Sequence, residues 1–430
     1  MLLVELTWLS WVLAIFGFYY LFLYGSMSYR HWRFEQTFDR SYRPLIFVVI
    51  PAHNEESVIG HTVEALLRQD YNERIIMVMN DGSKDGTSEV AHCYQDQGVV
   101  VVDRGPEIAG CGKGAVLNHA YRILLDMVDR ADPVLEGRGA EDILVCILDA
   151  DGQLEQSSLS NVAPYFAEPD VGGLQIGVRI ANAGKNFLTR MQDLEFVGFS
   201  AMVQEARDWW GAVGLGGNGQ FTRLSALQSA GPAPWSDCLT EDLDLGLTLV
   251  KQGWRIRFCP NAWVAQQAVE QFKPLFRQRT RWIQGHYQCW QHLSGLVEEE
   301  SVPWYTRADL VVYLFMGVYI WLVAAGPALG ILSSLGYISV NTTFLMWIDD
   351  LVVRNALRLV LAIAPFFVFI LVYQRRAVSP FKARWIPAIG LVFTGYTYTM
   401  LVSQVWALYR LAVGRDAWAK TARVQSESVV

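Results

Sequence analysis

Positive charge is scarce in this chain: 35 Lys and Arg stand against 42 Asp and Glu, a formal net charge of −7. No basic face able to release many counterions is apparent, which argues against a nucleic-acid partner. Cysteine is also sparse. Cys93, Cys111, Cys146, Cys238, Cys259 and Cys289 are scattered, with no C-x-x-C pair. That spacing speaks against a disulfide framework and a local zinc motif, and reads as reduced thiols in a cytosolic domain. The opening apolar stretch has neither a basic start nor a run of small residues at its end, so a retained helix is expected there, not a cleaved signal. Gly112-Lys113-Gly114 lacks the spacing of a P-loop.

What the chain has in quantity is apolar surface. Hydrophobic residues make up 52% of it and collect at residues 2–27 and from about 303 onward. Leu2 to Met27 carries Glu5 as its only charge and suits one membrane span of roughly 20 residues. Arg30, Arg33, Arg40 and Arg43 follow, which places the next domain in the cytoplasm. Three further spans are expected at Asp309–Ile338, Leu351–Tyr373 and Trp385–Leu411, the first kinked at Gly326-Pro327. Four spans leave the tail outside, yet Arg410, Arg415, Lys420 and Arg423 ask for the inside. The division expected is a helix at 1–28, a cytosolic domain at 44–270, an interface helix at 271–298, about three spans over 303–412 and a tail at 413–430. This makes a multi-pass protein of the plasma membrane, in contact with the bilayer.

Between the apolar ends, short β-rich runs (Leu45–Ile50, Arg74–Met79, Val99–Val102, Ile143–Leu148, Val171–Val178) alternate with helical patterns at Glu56–Gln69, Asp85–Gln97 and Ala115–Asp129. The alternation predicts an α/β domain with a mostly parallel sheet, whose ligands bind at the carboxyl ends of its strands. Asp129–Asp142, charged and broken by Pro133, reads as an exposed insertion.

Polar motifs sit at those strand ends. Pro51-Ala52-His53-Asn54-Glu55 and Asn80-Asp81-Gly82 present groups for a nucleotide base, although Asn54 and Asp85 equally suit helix caps. Lys113, between glycines at a helix start, suits a phosphate or a surface turn. Asp149-Ala150-Asp151 follows an apolar strand; two carboxylates there can hold Mg2+ or Mn2+ together with substrate phosphates. About ninety residues later, Thr240-Glu241-Asp242 opens a helical run as either a cap or a site for a general base. Phe272–Leu296 reads as an amphipathic helix in which Lys273, Arg277, Arg279 and Arg281 alternate with aromatics. It can lie on anionic lipid, hold a diphosphate through Arg281 and stack a sugar on Trp282.

The ordered set over about residues 44–290 resembles the processive branch of family-2 inverting glycosyltransferases, which contains the cellulose, hyaluronan, chitin-oligosaccharide and poly-N-acetylglucosamine synthases. The resemblance implies a GT-A fold, a UDP-sugar donor and single-displacement inversion. It makes Asp81 the uridine contact, Lys113 a donor contact, and Asp149 with Asp151 the D-x-D, Asp151 being the first choice of direct metal ligand. It makes Asp242 the general base, and Gln278, Arg281 and Trp282 the Q-x-x-R-W signature. Gln175, Arg179 and Asn182 resemble the Q-x-x-x-R stretch, and Gly217-Asn218-Gly219 the loop near the acceptor. His53, Glu55, Asp81, Lys113, Asp149 and Arg281 are thus expected on the donor side, and Gly217, Asn218, Glu241, Gln278 and Trp282 on the acceptor side. His53 stands where a tyrosine is frequent, and Asn80 where many relatives carry a second aspartate.

The first reading is a synthase that extends a β-linked polysaccharide, working as a homo-oligomer or with a secretion partner. The second is a non-processive enzyme that glycosylates a membrane lipid. A nucleotide-binding transporter or receptor stands third; it would need no catalytic base.

Overall fold

The computed structural model describes residues 2–33, 39, 41–318, 321 and 351–414. Its sheet has eight strands: β1 Leu45–Ala52, β2 Arg74–Asn80, β3 Val100–Asp103, β4 Ile143–Ile147, β5 Gln153–Leu154, β6 Val171–Ile180, β7 Gln220–Arg223 and β8 Arg255–Gln266. They lie in the order β3-β2-β1-β4-β7-β6-β8-β5. Strands β3, β2, β1 and β4 are mutually parallel, β7 runs antiparallel between β4 and β6, and β6 pairs parallel with β8.

The helices the site depends on are α1 Leu2–Arg33, α2 Ile59–Leu67, α3 Thr87–His92, α4 Lys113–Asp129, α5 Phe187–Phe199, α6 Glu241–Lys251, α7 Phe272–Gln288, α8 Trp304–Leu314, α9 Leu351–Arg376 and α10 Ile386–Ala412. Strand β1 shows why the sheet needs helices on both faces. Its side chains alternate, and both sets are buried. Leu45, Phe47 and Val49 pack with Val116, Leu117 and Leu124 of α4, whereas Ile46, Val48 and Ile50 pack with Ile59, Val63 and Leu66 of α2.

Below the sheet lies a helical base. Leu194 and Val197 of α5, Leu275 of α7, Ile370 of α9 and Phe393 of α10 share one cluster; Leu23 and Met27 of α1 join Met202 and Val372 in another. Large exposed apolar side chains concentrate on this base, among them Phe18 and Leu21 of α1, Val360 and Leu371 of α9, and Leu391, Val402 and Trp406 of α10. Among the described residues, one helix, Ala383–Ala412, is long and apolar enough to cross a membrane, with a mean hydropathy of 1.3. Leu2–Arg33 and Leu351–Arg376, expected as spans, are helical, and helicity alone does not make them spans. Most of the expected span Asp309–Ile338, and the tail from 415, lie outside the described residues.

Strands β5, β7 and β8 were not expected, for physical reasons. Strand β7 is Gln-Phe-Thr-Arg, and its polar residues are as buried as Phe221, so no apolar pattern marks it. In β8 the register slips between the pairs Ile176–Cys259 and Gly177–Trp263, and Pro260 and Asn261 fall in the slip and break the alternation. Strand β5 has only two residues. The segment 129–142 is not wholly exposed either: its short turns bury Leu135 against the core.

Candidate active site

A cavity of about 780 Å³ opens at the carboxyl ends of β1, β2 and β4 and runs down between α5, α6 and α7 toward the helical base. Its upper end is built by register. Strand pairing sets Ala52 beside Asn80, so the residues that follow meet. The His53 Nδ1–H donates to the Asp81 carbonyl at 2.7 Å, while Asn54 Nδ2 lies 3.1 Å from His53 Nε2, so the ring is held from both sides. The Asp81 carboxylate accepts from Gly110 N at 3.1 Å and ion-pairs with buried Arg104. His53, Glu55, Asp81, Gly110 and Gly112 all reach the cavity wall. The expected capping role is not what Asn54 and Asp85 perform, since the helices start after Val58 and Gly86 without a side-chain cap; instead Asn54 Oδ1 accepts from Lys84 N at 2.8 Å and Asp85 Oδ2 from Glu56 N at 3.3 Å. Those bonds tie the two loops together behind the wall.

Lys113, the first residue of α4, does not point outward as a surface turn would. Its Nζ donates to Asp149 Oδ1 and to the Gly217 carbonyl, each at 2.6 Å. Burial pulls the Lys113 ammonium down, but Asp149, Glu241 and Asp242 outweigh it, and the net shift is up. Gly217 must be small, since a Cβ there would stand 3.1 Å from Lys113 Nζ and 3.3 Å from Asp242 Oδ2. Its loop is clamped from beneath. Gln175 accepts from Gly216 N at 2.8 Å and donates to the Asn218 carbonyl at 2.9 Å, while Asn218 Oδ1 accepts from Asp149 N at 3.1 Å. Asp149 lines the cavity; Asp151 is buried just behind its wall, where it accepts from Gln267 N at 3.4 Å. The two carboxylates supply the hard oxygen donors that Mg2+ or Mn2+ require.

Glu241 and Asp242 start α6 on the opposite wall. Asp242 Oδ1 accepts from Leu243 N at 2.9 Å, which leaves Oδ2 toward Gly217 and the cavity. Burial pushes the Asp242 carboxyl up, and burial followed by the neighbouring Asp242 charge pushes Glu241 up to about 7. A carboxyl raised toward neutrality is the condition for general-base work. The sign has two consequences. Glu241 favours the fold most below the ordinary carboxyl range, and that contribution is lost as pH rises through about 7. General-base work needs the deprotonated form, so any turnover it drives should rise over the same window while Tm falls. Parallel rate and melting profiles from pH 5 to 9 test this, and Glu241→Gln should flatten the Tm slope. An unchanged slope in that variant would remove Glu241 as its source.

Helix α7 divides its basic residues between two faces. Gln278, Arg281 and Trp282 line the cavity with Phe196, His286 and Tyr313. Arg281 Nε is buried without a hydrogen-bond partner among the described residues, a cation placed to meet an anion. Lys273 and Arg277 are exposed, in keeping with a lipid-facing side. Arg279 departs from that expectation. It is buried, donates to Glu195 Oε2 at 2.8 Å and lies 4.4 Å from the Trp282 ring, while Tyr396 of α10 donates to the same carboxylate oxygen at 2.7 Å. Arg279→Ala should therefore cost about 2 kcal/mol, less than the ~3 of a fully buried pair because the Glu195 side chain is 31% exposed. Thermal denaturation in detergent reads this directly, and a Tm unchanged from wild type would refute it.

Of Gln175, Arg179 and Asn182, Gln175 is the one that lines the cavity. Arg179 stacks 4.0 Å over Trp263, and Asn182 braces the 266–271 segment through Ala268 N at 2.8 Å. The sequence reading missed Arg104, Gln266, His286 and Tyr313. Arg104 directly follows β3, so the strand-end rule that found Asp81 applies to it as well. Tyr313 lies in a stretch read as the start of a span, and nothing in its surroundings marks it as facing a polar site.

A family model described as glycosyltransferase like family 2 matches residues 44–285. A beta-monoglucosyldiacylglycerol synthase of Synechocystis is 32% identical over 292 residues, which cover 66% of this chain and 57% of that protein. A poly-beta-1,6-N-acetyl-D-glucosamine synthase of Staphylococcus aureus is 25% identical over 290 residues, 65% of this chain and 64% of its own length. The chain thus spans somewhat under two thirds of the length of these relatives. Among solved structures, a mannosyltransferase of Pyrobaculum calidifontis in complex with GDP-Man and Mn2+ superposes with a TM-score of 0.57 at 17% identity, covering 95% of this chain and 99% of that one; the likeness is one of fold.

Proposed function

Since the chain belongs to glycosyltransferase family 2, we propose that it transfers one sugar from a UDP-sugar to the hydroxyl of a membrane lipid. The observation that carries this reading is where the cavity leads. Its lower end is walled by Phe196, Phe199, Trp282 and Tyr313 and abuts the helical base, whose outer surface is apolar. A lipid acceptor held in that base would present its hydroxyl upward, between Asp242 and the donor. The relative named for a monoglucosyl lipid is the more similar of the two, which reverses the order expected from the motifs alone. The polymer reading keeps the support of Trp282 in a Q-x-x-R-W signature and of the poly-N-acetylglucosamine synthase relative.

In the proposed reaction Asp242 takes the acceptor proton as the acceptor oxygen attacks the anomeric carbon. The C–O bond to UDP breaks, and the configuration inverts. Lys113 and Arg281 neutralise the departing diphosphate; His53, Glu55 and Asp81 hold the nucleoside; Glu241, Gln278, Trp282, Gly217 and Asn218 frame the acceptor. Asp149 and Asp151 would hold Mg2+ or Mn2+, which supplies Lewis-acid stabilisation of that diphosphate. The catalytic domain, 44–270, would stand at the cytoplasmic face of the plasma membrane on the interface helix 271–298. Helices within 1–28 and 303–412 would span the bilayer, with the tail 413–430 beyond them.

The test is UDP release by the chain purified in detergent, with a panel of UDP-sugars, with and without diacylglycerol. Release that depends on lipid and yields a one-sugar glycolipid supports the proposal. A ladder from one donor without added lipid would return the polymer reading, and no release with any donor would overturn both.

A further inference from the structure

Behind the Thr240-Glu241-Asp242 turn, off the cavity wall, the fold gathers a second set of ligand atoms. Cys238 and Cys289 are 51 residues apart in sequence, yet their sulfurs lie 3.8 Å apart. One Asp244 carboxylate oxygen lies within 4.8 Å of both. Two Zn–S bonds of about 2.3 Å at a tetrahedral angle hold their sulfurs about 3.8 Å from each other. No local C-x-x-C spacing joins Cys238 to Cys289; the fold makes the pair.

The chemistry of the donors selects the ion. Two thiolates with one carboxylate suit zinc, whereas Mg2+ and Mn2+ prefer an all-oxygen set such as Asp149 and Asp151. Asp244 is braced as a metal-bound carboxylate usually is. Its Oδ1 accepts from His292 Nε2 at 2.7 Å and from Gln291 Nε2 at 2.9 Å, and its Oδ2 accepts from Ser236 Oγ at 2.8 Å, which leaves a lone pair on Oδ2. The other ring nitrogen of His292, Nδ1, is buried with no hydrogen-bond partner among the described residues. An ordinary buried thiol pair requires no such concentration of polar atoms.

We propose that Cys238, Asp244 and Cys289 supply three ligands of a zinc site, with a water in the fourth position, separate from the Asp149–Asp151 pair. Two Zn–S bonds form, and both thiol protons pass to solvent. Cys238 stands on the loop that leads to Glu241 and Asp242, and Cys289 directly follows α7, which carries Gln278, Arg281 and Trp282. The ion would pin the proposed base to the acceptor-side helix.

The experiment uses the full chain in detergent, stripped with a chelator and re-equilibrated with Zn2+ in excess Mg2+, with zinc counted by plasma mass spectrometry. One zinc per chain is expected, falling below about a tenth in the Cys238→Ser/Cys289→Ser double variant. Should that variant not fold, wild-type alkylation decides. Zn2+ should slow the labelling of Cys238 at least tenfold while leaving the exposed Cys93 and Cys111 unchanged. Absence of zinc, zinc retained by a folded double variant, unprotected Cys238, or a Cys238–Cys289 disulfide in the non-reduced peptide map would each overturn the site. None of these readouts depends on sugar transfer, so failure here leaves the transferase proposal standing.

Discussion

Asp242→Asn is expected to lower kcat by about 10²- to 10⁴-fold, the range a positioned general base contributes, while UDP-sugar affinity stays within about threefold. Asparagine keeps the shape of the side chain and can still accept from Leu243 N–H, as Asp242 Oδ1 does at 2.9 Å, so the start of α6 is preserved. The proposed donor contacts are elsewhere: Lys113 retains Asp149 and the Gly217 carbonyl, each at 2.6 Å. What is lost is an acceptor for the proton of the attacking hydroxyl. Single-turnover transfer and UDP titration calorimetry on the same preparation separate the two effects. A transporter or receptor reading predicts no effect on function from this change, because it requires no base. Glu241→Gln should cost less than Asp242→Asn; the reverse order would move the base one residue back.

The sequence carried much of this site because its motifs sit at strand ends, where the chain must stop being apolar. The polar residues after β1, β2 and β4 stand out against runs such as Leu45–Ile50, and parallel pairing then brings His53, Asp81 and Asp149 to one wall of the sheet. Residues that act through tertiary contact were not legible. Arg279 has the same local surroundings as Arg277 and Arg281; only the packing of α5 and α10 buries it on Glu195. Strand β7 was hidden because Gln220, Thr222 and Arg223 are buried polar residues, which period-2 patterning reads as exposed. The pairing of Cys238 with Cys289 depends on how α6 meets the end of α7, a contact across 51 residues that no spacing rule contains. The order of the two acceptor readings was not legible for a related reason. Trp282 looks the same whether it faces a sugar chain or a lipid, and what separates the two is the apolar base beneath it.

Asp149→Asn should produce the second-largest effect, lowering kcat/KM by about 10²- to 10³-fold, which is the several kcal/mol that metal-assisted stabilisation of a leaving diphosphate supplies. Mn2+ binding in the presence of UDP, read by electron paramagnetic resonance, should be lost in parallel. In the proposed site Asp149 would serve two cations, since its Oδ1 also accepts from Lys113 at 2.6 Å, and activity alone cannot assign the loss. Lys113→Ala separates them: it should weaken UDP-sugar affinity yet leave Mn2+ bound. Asp151→Asn should weaken Mn2+ binding less than Asp149→Asn, the reverse of the order the family resemblance implies, because Asp151 lies behind the cavity wall and accepts from Gln267 N, whereas Asp149 is on the wall itself. Chelation of the wild-type chain should abolish transfer, and Mn2+ or Mg2+ should restore it. Transfer that persisted in chelator, with Mn2+ binding absent from the wild type, would leave Lys113 and Arg281 as the cations that carry the leaving group.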